Sequence, residues 1–186
     1  MGRALAGSAA SPGVVSVVRS PGIPVTAISK EANLVLVLAE VRDPGNAGTL
    51  VRSAAAAGAD AVIFSTGAVD PLGIKSVRSA AGAIFRVPLV LNASLASSLH
   101  GLRKQGLSVI ATDARAAISS DECDLTKPVA LVLGNEAHGM PVAVGDLVDE
   151  VIAIPMPGSG ESLNVAVAGS ILLFEAVRQR RRVEDI

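Results

Sequence analysis

From Leu34 onward, apolar runs alternate regularly with segments of helical pattern, and this alternation limits most strongly what the chain can fold into. The first run, LVLVLAEV at 34–41, is typical of a strand buried on both faces of a sheet. Strands that alternate with helices build a mainly parallel sheet flanked by helices, so we predict an α/β fold. The predicted strands are 34–41, 60–65, 84–90, 107–113, 128–136 and 150–156. The predicted helices are 47–58, 74–83, 94–106, 141–148 and 162–182.

The composition agrees with this layered arrangement. Half of the 186 residues are hydrophobic, but aromatic residues make up only 2%. The core must therefore consist of Val, Ile, Leu and Ala, which suits helices packed on a buried parallel sheet. The net charge of −1 argues against a protein that holds nucleic acid by its overall charge, although a local basic patch is compatible with it.

Cysteine usage and hydropathy indicate the compartment. Cys123 is the only cysteine, so no disulfide can form within the chain. Together with the lack of a signal-peptide pattern, this favours the reducing cytoplasm. No apolar run reaches the length of a membrane span, so we expect no membrane partner. We expect Cys123 to be structural or incidental, because no His is placed suggestively near it for nucleophilic catalysis.

The first 32 residues differ from the regular part of the chain. Residues 1–12 are small and turn-rich, and we expect them to be poorly ordered. The stretch GVVSVV (13–18) can form a short strand, and the two prolines of RSPGIPV (19–25) indicate a linker. We therefore predict an N-terminal arm or linker at 1–32 and one domain at 33–186.

The loops that follow the strands are the candidate sites for chemistry, because ligands of parallel α/β sheets bind beyond the carboxyl ends of the strands. Four such places are RDPGNAGTLVRSA (42–54), Thr112 with Asp113, GNEAHGM (134–140) and PMPGSGESLN (155–164). Three of them are rich in Gly, Asn and charged residues. We interpret this convergence as stronger evidence for one site than any single motif.

In the first of these loops, Gly45 and Gly48 flank Asn46 at a predicted helix N-terminus. The pattern fits a capped helix, and it also fits a cradle for a phosphate or sugar on free N–H groups. It is neither a dinucleotide fingerprint nor a P-loop. Arg52 follows in a small, apolar stretch, where it is either a surface residue or a ligand for an anion.

The loop at 134–140 contains His138, which raises the question of a metal. The only other histidine is His100 and there is no cysteine cluster, so we predict no metal site and a non-catalytic His138. In the loop at 155–164, Ser162 and Asn164 stand where a helix begins, and capping and catalysis can coexist there.

Three stretches carry a specific resemblance: DPGNAGTLVRSAAAAGA, LVLGNEAHGM and IPMPGSGESLNVAVAGSILLFEA, in this order. They resemble the ordered motifs of the SpoU (TrmH-like) RNA 2′-O-ribose methyltransferases of the SPOUT class, over roughly residues 33–182. The resemblance implies a SPOUT-type fold with a deep C-terminal trefoil knot, S-adenosyl-L-methionine as cofactor, and a homodimer with each site near the partner subunit. It also implies that 1–32 is the remnant of a connector to an absent RNA-binding domain.

Site residues follow from the resemblance by motif position. The catalytic set that it implies is Arg52, Asn46, Glu136, Ser162 and Asn164. The cofactor-binding set that it implies is Thr112, Leu133, Gly134, Asn135, Ile154, Met156 and Leu163. In this family, the arginine that matches Arg52 is often assigned as the general base. Because a guanidinium almost never loses its proton, we expect Arg52 to hold the target phosphate and stabilise the developing alkoxide, while Glu136 orients the loop or Arg52.

The expected partner is RNA, with ribosomal RNA favoured over transfer RNA, and the expected affinity comes from local patches. One candidate face comprises Arg42, Arg52, Arg78 and Arg86. The second candidate is the tail RQRRR at 178–182, which also fits a helix C-terminus that favours cations. For the homodimer we predict an interface on the last helix that includes six apolar residues: Val165, Val167, Ile171, Leu172, Leu173 and Phe174.

Two other functions stay open at this point. An ordinary doubly wound nucleotide-binding enzyme lacks support, because the glycine fingerprint and the acidic residue that follows it are missing. A non-catalytic RNA- or cofactor-binding protein of the SPOUT fold is the second alternative.

Overall fold

The computed structural model describes residues 16–135, 139–158 and 162–184. Its centre is an eight-stranded sheet in which every neighbouring pair of strands is parallel, in the order β1-β4-β3-β2-β7-β5-β8-β6. The strands are β1 Gly22–Ile23, β2 Leu34–Leu38, β3 Ala61–Ser65, β4 Leu89–Ala93, β5 Ser108–Thr112, β6 Ile118–Ser119, β7 Val129–Leu133 and β8 Glu150–Ala153. The helices are α1 Pro44–Ala56, α2 Ile74–Ala80, α3 Leu95–Lys104 and α4 Val165–Glu184.

Helices cover both faces of the sheet, as the sequence predicts. Alternate residues of β2 point to opposite sides: Leu36 packs in a cluster with α1 and α4, and Val37 packs in a second cluster with α3. Strands β2, β3 and β7 are buried along their whole length, which explains their continuous apolar runs. The α/β fold class with a parallel sheet is therefore confirmed.

The strand predicted at 84–90 is wrong in its first half. Residues Ala83–Phe85 form a 3₁₀ turn, and the strand is Leu89–Ala93. The chain enters the turn through Gly82, whose φ is +81°, and it buries Ala83 and Ile84 in the core. A short apolar run does not distinguish such a buried turn from a strand by its pattern alone.

Other differences concern the nature and the ends of elements. The helix predicted at 141–148 is a 3₁₀ segment over Val142–Leu147, and the predicted linker at 19–25 contains β1, which pairs with β4 at the sheet edge. The strand predicted at 150–156 ends at Ala153, just before Pro155, which has no N–H to donate. The short strand considered at 13–18 is not present at 16–18, and 13–15 and the arm at 1–12 lie outside the described residues. The other strands and helices predicted from 34 onward are confirmed, with small shifts at their ends.

The C-terminal part of the chain supplies a strand that lies between two earlier strands of the sheet. Strand β8 pairs with both β5 and β6, although residues 113–117 connect β5 directly to β6. A later strand inserted between two earlier, adjacent ones is consistent with the predicted C-terminal knot. After β8 the chain runs into α4, which packs on α1. Gly169 permits this close approach, because a Cβ atom there would collide with the side chains of Leu133 and Leu50.

Candidate active site at the carboxyl ends of β5, β7 and β8

A cavity of about 620 Å³ lies where β5, β7 and β8 end and α4 begins. This volume lies within the range of small-molecule sites in proteins. All seven residues of the predicted cofactor set line it: Thr112, Leu133, Gly134, Asn135, Ile154, Met156 and Leu163. Ser162 and Asn164 from the predicted catalytic set line it as well. Residues far apart in sequence thus meet at one place, and their roles there remain predictions.

The loop after β7 is closed by its own backbone. Asn135 and Gly139 each donate a backbone N–H to the carbonyl oxygen of the other, at 2.9 Å in both directions. A Cβ atom on Gly134 would lie 2.6 Å from the carbonyl oxygen of Gly139 and 2.7 Å from the nitrogen of Met140. Only glycine fits at 134 without moving the opposite strand of this loop, which shapes one wall of the cavity.

The side chain of Asn135 has a positioning role that sequence reasoning missed. Asn135 is buried, and its Nδ2 donates a hydrogen bond of 2.8 Å to the backbone oxygen of Glu40. Glu40 has a left-handed backbone with φ of +60°, and its N–H donates to Oγ of Ser65 at 2.9 Å. The amide of Asn135 therefore joins the loop after β7 to the loop after β2, across 95 residues of sequence.

The N-termini of α1 and α4 meet through two asparagines of the predicted catalytic set. Oδ1 of Asn164 accepts hydrogen bonds from the N–H groups of Ala166 at 2.9 Å and Val167 at 3.3 Å, which caps α4. Nδ2 of Asn164 donates to Oδ1 of Asn46 at 3.0 Å. This contact joins the N-terminus of α1 to that of α4, and α4 begins at the edge of the cavity.

At the start of α1, the cap is Asp43 rather than Asn46. Oδ1 of Asp43 accepts the N–H of Asn46 at 2.7 Å, and Pro44 occupies the first turn, where its missing N–H costs nothing. This leaves the side chain of Asn46 available for its contact with Asn164. The sequence pattern of Asp-Pro before a helix predicts such a cap, although either Asp or Asn fitted the motif.

Arg52 does not line the cavity. Its side chain is exposed on α1, and it makes no hydrogen bond or ion pair with another described residue. It lies one turn beyond Gly48, on the side of α1 that packs against α2. Within one chain, the structure therefore brings Asn46, Ser162 and Asn164 together but not Arg52. Glu136 and His138 lie outside the described residues.

Two charged residues at the mouth of the cavity were not part of the predicted set. Asp113 and Arg115 both line it. The N–H of Arg115 donates to Oδ1 of Asp113 at 2.8 Å, and its Nε donates to the same oxygen at 3.4 Å. These hydrogen bonds, the backbone one first, lower the pKa of Asp113 below its ordinary value. The position of Asp113 directly after β5 was the only sequence signal for this pair.

The environment of Cys123 agrees with the expected structural or incidental role. The thiol is buried, and it donates to Oε2 of Glu150 at 3.4 Å. Burial first, and then this hydrogen bond, raise the pKa of Cys123 to about 12. A thiol that stays protonated is a poor nucleophile. Among the described residues there is also no group of three or more His, Cys, Asp or Glu side chains that is able to hold a metal ion.

The two basic surfaces predicted to bind RNA, the arginine face and the tail 178–182, differ in how many of their arginines are exposed. Arg78 and Arg86 are exposed on α2 and just after the following turn. In the tail 178–182, by contrast, Arg180 is structural, since it donates to the backbone oxygens of Leu125, Asn33 and Lys127 at 2.8–3.0 Å. This role was missed because its acceptors are distant in sequence.

Of the remaining arginines of the tail, one forms an ion pair within α4 and two are exposed. Arg178 forms an ion pair with Glu175 one turn earlier on α4. Arg181 and Arg182 are exposed.

The apolar surface predicted on the last helix is smaller than expected. Val167, Ile171 and Phe174 are 48%, 41% and 50% exposed, and their spacing of four and three residues places them on one face of α4. Leu172 and Leu173, which the prediction also included, belong to the core of the chain itself. In the described part of the chain, no helix is long and apolar enough to cross a membrane.

Comparison with known proteins agrees with the architecture and the position of the motifs. The sequence profile described as the SpoU rRNA Methylase family matches residues 33–174. A 23S rRNA (guanosine-2′-O-)-methyltransferase RlmB from Xanthomonas axonopodis pv. citri is 44% identical over 147 residues. That match covers 79% of this chain and 59% of the relative, so the chain spans less than two thirds of the length of this curated protein.

Solved structures match over a similar part of the chain. The SpoU methyltransferase AviRb from Streptomyces viridochromogenes superposes with a TM-score of 0.82 at 33% identity, covering 88% of this chain and 66% of that one. An AdoMet-bound rRNA methyltransferase from Sinorhizobium meliloti superposes with a TM-score of 0.79 at 35% identity, covering 84% of this chain and 60% of that one. The fold is therefore that of the SPOUT-class methyltransferases.

Proposed function

Because the chain belongs to the SpoU rRNA methylase family, we propose that it transfers a methyl group from S-adenosyl-L-methionine to a ribose 2′-oxygen of RNA. The observation that carries the proposal is the cavity at the carboxyl ends of β5, β7 and β8. It collects the predicted cofactor residues and two of the predicted catalytic residues from the three connections that follow β5, β7 and β8. The relative from Xanthomonas, named for methylation of 23S rRNA, supports ribosomal RNA as the substrate class.

The cavity has the chemistry that a nucleoside with an attached amino acid requires. Its lining combines apolar side chains, such as Leu133, Ile154 and Met156, with the glycine backbone at Gly134. Apolar side chains suit a base, and backbone N–H and C=O groups suit its polar edge and the ribose. The charged pair Asp113 and Arg115 at the mouth suits a zwitterionic amino-acid end. When bound, S-adenosyl-L-methionine supplies the methyl group on a sulfonium.

The side chains of the chain itself align the target and stabilise charge. Asn46 and Asn164, held by their mutual hydrogen bond, fix the helix N-termini against which the ribose would be oriented. Arg52 provides a permanent positive charge for the adjacent phosphate and for the oxyanion that develops at the 2′-oxygen. Ser162 at the cavity edge completes the positioning of the ribose, and Glu136 stays a prediction for orienting Arg52.

We also propose that the active form is a homodimer, which is the arrangement that would place Arg52 of one copy near the cavity of another. Arg52 is absent from the cavity lining of its own chain, and α4 exposes an apolar stripe of Val167, Ile171 and Phe174. Residues 33–186 would form the catalytic domain and 1–32 an N-terminal arm that leads into it. An enzyme that modifies ribosomal RNA would act in the cytoplasm.

The deciding experiment is transfer of radiolabelled methyl from S-adenosyl-L-methionine to total RNA, followed by nucleoside analysis. We expect label in a 2′-O-methylated nucleoside of ribosomal RNA. Label on a base would contradict the reaction class, and label in transfer RNA alone would contradict the substrate. Cofactor binding in calorimetry without transfer to any RNA would favour the non-catalytic alternative.

A further inference from the structure

Phe85 is an exposed aromatic side chain on a rigid support. The chain has only three phenylalanines, and Phe64 is buried in the core while Phe174 lies in the apolar stripe of α4. Phe85 is 60% exposed at the end of the 3₁₀ turn Ala83–Phe85. The two preceding residues of the turn are buried, so the backbone is anchored while the ring faces solvent. A single exposed apolar side chain is common on protein surfaces, so the case for a ligand at Phe85 depends on its surroundings.

The turn is joined to the helix that carries Arg52. It packs directly against α1, as does α2, which precedes it. Oγ of Ser79 on α2 donates to the backbone oxygen of Gly45 at 2.8 Å and lies 3.1 Å from Oγ1 of Thr49. Phe85 therefore belongs to the same rigid unit as the N-terminal half of α1, and what binds at Phe85 is held at a fixed place relative to Arg52.

The surroundings of Phe85 are basic in a chain that is slightly acidic overall. The net charge of the whole chain is −1. Lys75, Arg78 and Arg86 are all exposed on α2 and just after the turn. The guanidinium of Arg86 donates to the backbone oxygen of Ala81 at 3.4 Å, which holds it over the 81–82 corner that leads into the turn. This charge favours a polyanionic occupant.

We propose that Phe85 is a stacking platform for an unpaired base of the RNA substrate, with Lys75 and Arg86 contacting the flanking phosphates. An aromatic face combined with cations is how proteins hold single-stranded RNA, because every base has a π face and every nucleotide has a charge. The platform sits beside α1, so it would set which unpaired nucleotide next to the target reaches Arg52. This inference rests on the proposed function, since it presupposes an RNA substrate.

The test is binding of a short fluorescein-labelled single-stranded RNA and of the corresponding duplex, followed by fluorescence anisotropy. The Phe85→Ala and Phe85→Leu variants are expected to bind the single strand roughly 5- to 150-fold more weakly, the range of one lost stacking contact. Phe85→Trp, which keeps an aromatic face, is expected to retain the affinity. Binding of the duplex, whose bases are not free to stack on a side chain, is expected to stay unchanged.

Ile74 provides the matched control. It is also 60% exposed, on the adjacent helix α2, but it has no π face. Ile74→Ala is expected to leave the affinity for the single strand unchanged. An equal loss for Ile74→Ala and Phe85→Ala, or full affinity in Phe85→Leu, would overturn stacking in favour of a general apolar contact. A change of oligomeric state in Phe85→Ala, measured by light scattering, would show that this face binds another copy of the chain and would also overturn the inference.

Failure of this inference and failure of the proposed function are separable in the same samples. If the wild-type protein methylates RNA and Phe85→Ala binds the single strand as tightly as wild type, only the platform is refuted. If the wild-type protein neither binds S-adenosyl-L-methionine in calorimetry nor methylates RNA, the proposed function itself is refuted. Phe85→Ala is expected to bind the cofactor with wild-type affinity, because Phe85 does not line the cavity.

Discussion

Substitution of Asn164 separates a structural role from a functional one at the same side chain. Asn164 caps α4 through Oδ1 and contacts Asn46 through Nδ2. Asn164→Ala removes both contacts. Loss of a cap costs about 1 kcal/mol, and the exposed hydrogen bond to Asn46 adds about 0.5–1 kcal/mol. We therefore expect the free energy of unfolding, measured with urea, to fall by about 1.5–2 kcal/mol.

Asn164→Ser keeps the cap and loses the contact. Serine caps helices about as well as asparagine, but its hydroxyl is too short to reach Asn46. We expect its free energy of unfolding to stay within about 1 kcal/mol of wild type, since only the exposed hydrogen bond is lost. Its methyl transfer to ribosomal RNA should nevertheless fall by about 10²-fold, the typical effect of a small misplacement of reacting groups.

Asn46→Ala is the control, since it removes the same contact from the other side and leaves the cap of α4 intact. If the contact is what matters, Asn46→Ala and Asn164→Ser should lose similar activity, and the double variant should lose little more than either. Wild-type rates of transfer in Asn164→Ser would refute the reasoning, because Asn164 would then act only as a cap.

The remaining predictions concern the positive charge, the assembly and the thiol. Arg52→Ala should leave cofactor affinity in calorimetry unchanged while methyl transfer falls about 10²–10³-fold. Arg52→Lys should recover part of the rate if only the charge is needed. Near-normal turnover of the Ala variant would show that Arg52 is not part of the catalytic centre. Ile171→Asp should produce a monomer in light scattering, because it puts a charge in the middle of the stripe on α4, and an unchanged dimer would exclude this face. Cys123 has a folded-state pKa of about 12 against 9.0 for the free group, so its contribution to stability is complete below pH 9 and is lost as the pH rises from 9 towards 12. In urea titrations at a series of pH values, Cys123→Ala should lose less stability than wild type across this window, and equal losses would contradict the assignment.

The hydrophobic pattern of the sequence predicted the strands whose burial is visible in their own residues. The run at Leu34–Leu38 is apolar because both of its faces are covered, and this burial is visible in the sequence itself. The order of the motifs placed the loops after β5, β7 and β8 at one site, and residues of these three loops do line one cavity, while their roles there stay predictions. The 3₁₀ turn at Ala83–Phe85 was mistaken for a strand, because burial of Ala83 and Ile84 produces the same apolar letters in either conformation.

What the sequence did not reveal depends on partners far along the chain. The amide of Asn135 reaches Glu40 across 95 residues, and the guanidinium of Arg180 reaches Asn33 across 147. Such contacts use a backbone oxygen as the acceptor, and a backbone oxygen leaves no signature in the identity of the residue that provides it. From the sequence alone, Asn135 fitted a contact with the cofactor, and Arg180 fitted a solvated basic tail.

The place of β8 between β5 and β6 has a consequence for the order in which the protein assembles. The two strands that flank β8 are joined by five residues, yet neither pairs with the other, because both pair with a strand that begins at Glu150. During synthesis they must therefore wait for the final part of the chain before this end of the sheet can close. Pairings between strands so distant in sequence form slowly. The walls of the cavity include β8 and the start of α4, so we expect it to form only after these residues have joined the sheet.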